Sequence, residues 1–117
     1  MGVSTHVLDA SAGRPAAGVD VRLERLTTRV NGGYEVAGRG RTDADGRIRT
    51  WTDGPATGAT EPGTYRLVFA TGAYFAATAT PAFYPEVTIT FTITIPEENH
   101  HVPLLLSPFA YSTYRGS

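Results

Sequence analysis

Residues 87–95 read VTITFTITI. Val87, Ile89, Phe91, Ile93 and Ile95 alternate with Thr88, Thr90, Thr92 and Thr94. Strict alternation belongs to a strand with one buried face, because successive side chains leave a strand on opposite sides. A helix would need apolar residues three and four apart. The other face is a threonine stripe, polar but β-branched, and so at home on a pleated surface. Pro96 closes the run because it has no N–H to donate to a ladder.

Outward from this strand the pattern recurs. In GVDVRLERL (18–26), Val19, Val21 and Leu23 face one way and Asp20, Arg22 and Glu24 the other. STHVLDA (4–10), YEVAGRGRT (34–42), RIRTWT (47–52), TYRLVFAT (64–71), HVPLLLS (101–107) and FAYSTYRG (109–116) are expected as further strands. Between them lie the turn signals SAGRPAAG, NGG, DADG, EPG and TPAFYP. Short strands at this spacing build an all-β sandwich or barrel. Thirteen glycines and eight prolines against one methionine also argue against a helical bundle. TGAYFAATA (71–79) alone has helical potential, with Thr71 as its N-cap.

A chain of 117 residues is one domain, expected over 1–117. Without cysteine there is neither a disulfide nor a thiolate metal site. A net charge of −1 gives no electrostatic footprint for nucleic acid or an anionic membrane. No apolar run is long enough to cross a bilayer. The opening MGVSTHVLDA lacks the basic and apolar regions of a signal peptide, so a cytoplasmic chain is expected. A periplasmic or peroxisomal location would require a leader already removed.

Chemistry has few carriers here. The histidines are His6, His100 and His101. His100 and His101 are adjacent on an extended segment and point to opposite faces, which argues against a shared metal. The plain expectation is that one is exposed after PEEN and the other packed. A histidine inside a short apolar strand nevertheless needs a polar partner, and imidazole is the group best poised for proton transfer near neutral pH. DADG (43–46) resembles a calcium loop only superficially: the position two before Asp43 is Arg41, and no later bidentate glutamate follows in register. Asp45-Gly46 reads as a hairpin turn. Arg47 leaves that turn straight into a strand. From spacing alone it reads as a solvated edge arginine, although such a scaffold can also hold a guanidinium against a planar or anionic ligand. Ser107, Ser112 and Ser117 lack a GxSxG elbow. Leu104, Leu105 and Leu106 make one strand apolar on both faces, so its second face is expected to meet another subunit.

Taken together, HVLDASAGRPAAGVDVRLER, TDADGRI, GTYRLVFATGAYF, FYPEVTITF and HHVPLLLSPFAYSTYRGS resemble the 5-hydroxyisourate hydrolase family, the transthyretin-related enzymes of purine catabolism. The resemblance runs from Val3 to Ser117. Its first half is shared with generic prealbumin-like modules; HVPLLLSP and the terminal YRGS are the discriminating part. Thyroid-hormone carriers of the same fold replace the terminal tetrapeptide and the two histidines.

The resemblance implies a prealbumin-like sandwich of two four-stranded sheets with one short helix. It implies a homotetramer, a dimer of dimers, with active sites between dimers and no cofactor or metal. It implies hydrolysis of 5-hydroxyisourate to 2-oxo-4-hydroxy-4-carboxy-5-ureidoimidazoline. His6, Arg47 and His101 would be catalytic, and Tyr114, Arg115, Gly116 and Ser117 would bind substrate. A small-molecule carrier of the same fold is the alternative, and a structural sandwich module a weaker third.

Overall fold

The computed structural model describes residues 2–28 and 33–117. In chain order the elements are β1 (Gly2–Asp9), β2 (Arg14–Pro15), β3 (Asp20–Leu26), β4 (Tyr34–Arg41), β5 (Arg47–Ile48), β6 (Gly63–Phe69), α1 (Thr71–Ala76), β7 (Val87–Ile93), β8 (Asn99–Ser107) and β9 (Ala110–Thr113). They form two sheets. One runs β4-β3-β6-β7, antiparallel throughout. The other runs β2-β1-β8-β9, with β1 and β8 parallel, and β5 also pairs with β1. The expected four strands hold for the first sheet. The second gains a fifth, because β2 and β5 are two-residue strands that share one edge of β1.

The inner faces meet in one core. Val3, Val7, Leu104 and Leu106 come from one sheet, and Val21, Leu23, Leu67, Phe69, Val87 and Ile93 from the other. Trp51 closes an end of it and satisfies its indole by donating to the Val3 carbonyl at 2.8 Å. Alternation along β1 and β8 is strict in its consequence. Val3, Thr5, Val7 and Asp9 are buried, while Ser4, His6 and Leu8 are only partly so. Leu104 and Leu106 are likewise buried, and Leu105 lies on the outer face beside Leu8.

Several expected boundaries move. The strand opening at Val87 ends at Ile93, and Ile95 is exposed. RIRTWT pairs only through Arg47–Ile48, with Thr52 rejoining Arg39 in an isolated bridge. FAYSTYRG is a ladder only over Ala110–Thr113. The helix stops at Ala76, and its N-cap is Ala70 rather than Thr71. The Thr71 hydroxyl is buried and caps nothing; the N–H of Gly72 finds the Pro85 carbonyl instead, at 3.0 Å. DADG turns tightly, but it carries the chain from one sheet to the other instead of closing a hairpin. Asn31 and Gly32 of the NGG turn lie outside the described residues.

Candidate active site

The ladders of β1 assemble the site. Its antiparallel pairing with β5 sets His6 opposite Arg47, and its parallel pairing with β8 sets Ser4 opposite His101. Residues opposite one another share a face, as do residues two apart on one strand. Ser4, His6, Arg47 and His101 therefore lie together on the outer face, turned away from the core.

Arg47 is delivered by its turn. Asp43 Oδ1 accepts the N–H groups of Asp45 (2.9 Å) and Arg47 (3.0 Å), and the Asp43 N–H donates to the Arg47 carbonyl at 3.0 Å. Gly46 has φ +77°, and an added Cβ would lie 2.4 Å from the Val7 carbonyl oxygen, so this turn needs glycine. The hydrogen bond from Arg47 N–H, with that from Asp45 and the arginine charges nearby, holds the Asp43 carboxyl below its usual range.

A cavity of about 320 Å³ opens here, lined by Ser4, Arg47, Arg49, Asn99, His101 and Ser117 among others. His101 Nδ1 lies 2.8 Å from Ser4 Oγ. Burial lowers the basicity of His101, and the charges of Arg47 and His6 lower it further. The imidazole is therefore neutral near pH 7, ready to take a proton with a guanidinium beside it to hold negative charge. His6 joins the group through its register with Arg47 and its electrostatic reach to His101.

The terminal tetrapeptide divides. The Gly116 N–H donates to the His101 carbonyl at 2.8 Å, and a Cβ on Gly116 would sit 2.5 Å from His101 Cδ2. Ser117 lines the cavity. Tyr114 and Arg115 lie on the other side of His101. They line an adjoining, more apolar hollow of about 240 Å³ with Ile89, Phe91, His100, His101 and Val102, so His101 stands between the two cavities. Arg115 there approaches Glu98 (3.5 Å) and the Asn99 carbonyl (3.4 Å). The expectation of one exposed and one packed histidine is also corrected: His100 is buried between the sheets, its Nδ1 without a partner, and His101 is half-buried.

Three lining residues, Ser4, Asn99 and Arg49, went unremarked in the sequence. Ser4 lies two before His6, Asn99 two before His101 and Arg49 two beyond Arg47. Period-two alternation from the three chemical residues would have found them all.

A model of the HIUase/Transthyretin family matches residues 3–116. The chain belongs to this family. It is 44% identical over 116 residues to a 5-hydroxyisourate hydrolase of Salmonella dublin, covering 98% of this chain and 80% of that protein. Among solved structures it resembles Klebsiella pneumoniae 5-hydroxyisourate hydrolase, with a TM-score of 0.80, 37% identity, and 98% and 92% of the two chains covered. It also resembles sea bream transthyretin, solved with thyroxine, with a TM-score of 0.84 and 30% identity over 99% and 95% of the chains. Both branches of the family thus share the backbone, and the choice between them rests on the outer face of β1 and β8.

Proposed function

We propose that this chain hydrolyses 5-hydroxyisourate to 2-oxo-4-hydroxy-4-carboxy-5-ureidoimidazoline. The observation that carries the reading is the grouping of Arg47, His101 and Ser117 around one cavity, in a chain so similar to named hydrolases. A carrier of apolar ligands would favour an apolar wall, and this one presents two guanidinium groups and an imidazole.

In this mechanism the planar substrate lies against Arg47, with Arg49 at the rim. His101 Nε2 takes a proton from water as the water oxygen bonds to C6. The carbonyl electrons collect on oxygen, where Arg47 stabilises them; removing one such donor typically costs about 10²–10³ in rate. The C6–N1 bond then breaks, and N1 receives a proton from an imidazolium, with His6 placed to share that transfer. The products are a carboxylate and a ureido group: the water oxygen ends in the carboxylate, one water proton on N1, and the other is released to solvent as the acid ionises. His101 serves as the base because burial and the neighbouring Arg47 guanidinium disfavour its protonated form.

The assembly proposed is a homotetramer, a dimer of dimers, with the sites between dimers. Among the described residues, β7 and β9 each end a sheet and leave one edge without a partner strand. Leu8 and Leu105, with Pro103, give the outer face beside the site an apolar stretch that suits a second dimer. Tyr114 and Arg115 would meet substrate through the second hollow, whose wall includes His101, as part of the site between dimers.

Decay of freshly generated 5-hydroxyisourate, followed spectrophotometrically, tests the function. The wild-type protein accelerates it, and His101→Ala loses at least two orders of magnitude while remaining folded. Full activity in His101→Ala would remove the mechanism. Thyroxine-like ligand binding without any turnover would favour the carrier reading, which the likeness to transthyretin keeps in view.

A further inference from the structure

We infer that Ser4 is the positioning residue of His101: its hydroxyl fixes the ring through Nδ1 and so aims Nε2 into the cavity. The inference rests on the hydrolase reading above. Its basis is geometric. Ser4 and His101 are register partners in the parallel β1–β8 ladder, so their side chains emerge side by side on the outer face. Ser4 Oγ and His101 Nδ1 are 2.8 Å apart. Gly116 closes the opposite side of the ring, since any Cβ there would strike Cδ2. The imidazole is held between a hydrogen bond and a glycine, with Nε2 as its remaining nitrogen.

The hydroxyl chemistry suits the task. When Nε2 accepts a proton from water, both ring nitrogens become donors, and Nδ1–H needs an acceptor. Serine oxygen accepts it without adding charge. A carboxylate in its place would stabilise the imidazolium strongly and pair with the arginines that the substrate needs. The groups facing His101 are His6 from β1, Arg47 and Arg49 from β5 and the residues after it, Ser117, and, in the adjoining hollow, Tyr114 and Arg115. Arg115 is drawn aside to Glu98. Among the side chains that line this cavity, none is an aspartate or glutamate. A serine hydroxyl can donate to Nδ1 or accept from Nδ1–H; Ser4 is given the accepting role, which leaves Nε2 free to take the proton.

The test uses the full chain and three variants. Ser4→Ala lowers kcat about ten-fold, the rate equivalent of one ordinary hydrogen bond, with KM nearly unchanged. The acidic limb of its pH–rate profile moves to lower pH, because the imidazolium has lost its acceptor. Ser4→Asp moves that limb to higher pH. Ser4→Thr, which keeps the hydroxyl, recovers most of the rate lost in Ser4→Ala. A merely structural serine would change stability and leave the limb in place, so an unmoved limb in both Ser4→Ala and Ser4→Asp overturns the inference. Nitrogen NMR of the His101 ring supplies a readout without turnover. A changed tautomer balance and titration in Ser4→Ala supports the coupling, and identical ring signals refute it. If the wild-type protein leaves 5-hydroxyisourate untouched yet the ring signals respond, the substrate assignment has failed and the Ser4–His101 coupling has not.

Discussion

Gly116→Ala tests how tightly the terminal segment frames the active imidazole. Gly116 is not among the glycines of positive φ, so alanine brings no backbone strain. What it brings is one methyl group. That Cβ would lie 2.5 Å from His101 Cδ2, 3.2 Å from Cγ and 3.3 Å from Pro103 Cγ. The first contact is about 1 Å shorter than carbon atoms tolerate at their optimum. Either the ring swings by that amount, or the segment lifts and stretches the 2.8 Å bond from Gly116 N–H to the His101 carbonyl. A misplacement of about 1 Å can cost about 10²-fold in rate, and that is the expected loss in kcat. Stability falls far less, by about 1 kcal/mol, at the low end for overpacking, because the segment is largely exposed and can give. Initial rates on freshly generated 5-hydroxyisourate, beside urea unfolding, separate the two effects. A rate within about threefold of wild type, a barrier change of about 0.6 kcal/mol, would refute the claim that Gly116 sets the ring position.

Two further perturbations address the scaffold and the assembly. Asp9 is buried, which by itself raises its pKa, yet bonds from the Ser11 hydroxyl and N–H, the Ala12 N–H and the Tyr74 hydroxyl outweigh burial and leave it below the ordinary value of 3.8. Burial and this same contact push Tyr74 up to about 12. A carboxyl depressed in the folded state contributes stability above its unfolded pKa and loses it as pH falls through the folded one. Asp9→Asn should therefore cost about 1–3 kcal/mol at neutral pH by urea unfolding, with the penalty shrinking below pH 3.8; a penalty constant across that range would contradict the assignment. Leu105→Arg places a charge on the outer face, opposite to the buried Leu104 and Leu106. It should leave the subunit folded by circular dichroism while lowering the mass seen by light scattering from tetramer to dimer, and an unchanged tetramer would exclude this face as the dimer–dimer contact.

The fold was legible where it depends on alternation and hidden where it depends on distant partners. VTITFTITI declares its strand through side chains alone, and Val87 and Ile93 are buried as the pattern requires. Thr71 reads as a cap because threonine caps helices well, but capping requires the hydroxyl to face the helix N–H groups, and here it is buried. The Pro85 carbonyl does that work from a loop that no local reading would connect to the helix. DADG reads as a hairpin for a similar reason: the turn chemistry is real, but pairing with β1 sends Arg47 into the other sheet. His6, Arg47 and His101 came from the family resemblance, and the ladders bring them together. Tyr114, Arg115, Gly116 and Ser117 came from the same resemblance: the bridge between His101 and Gly116 ties the terminus to the histidine, Ser117 lines one cavity beside it, and Tyr114 and Arg115 line the other.

Folding and chemistry use different residues of the same two strands. On β1, Val3, Thr5 and Val7 build the core while Ser4 and His6 face outward. On β8, Val102, Leu104 and Leu106 do the first task, and Asn99 and His101 contribute to the second. Because the pleat sends neighbours to opposite faces, the outer set can change without disturbing the packing that defines the sandwich. Hydrolase and carrier can therefore share one backbone, and overall shape cannot distinguish them. The features of this chain that bear on its chemistry are narrower: a half-buried imidazole with a hydroxyl on Nδ1, a guanidinium delivered by an Asp-fixed turn, and a glycine where any side chain would strike the ring. Each depends on a specific backbone register. A one-residue slip of β8 against β1 would turn His101 into the core and His100 onto the outer face, so the ladder that holds the sandwich together also determines which of two adjacent histidines faces the outer cavity.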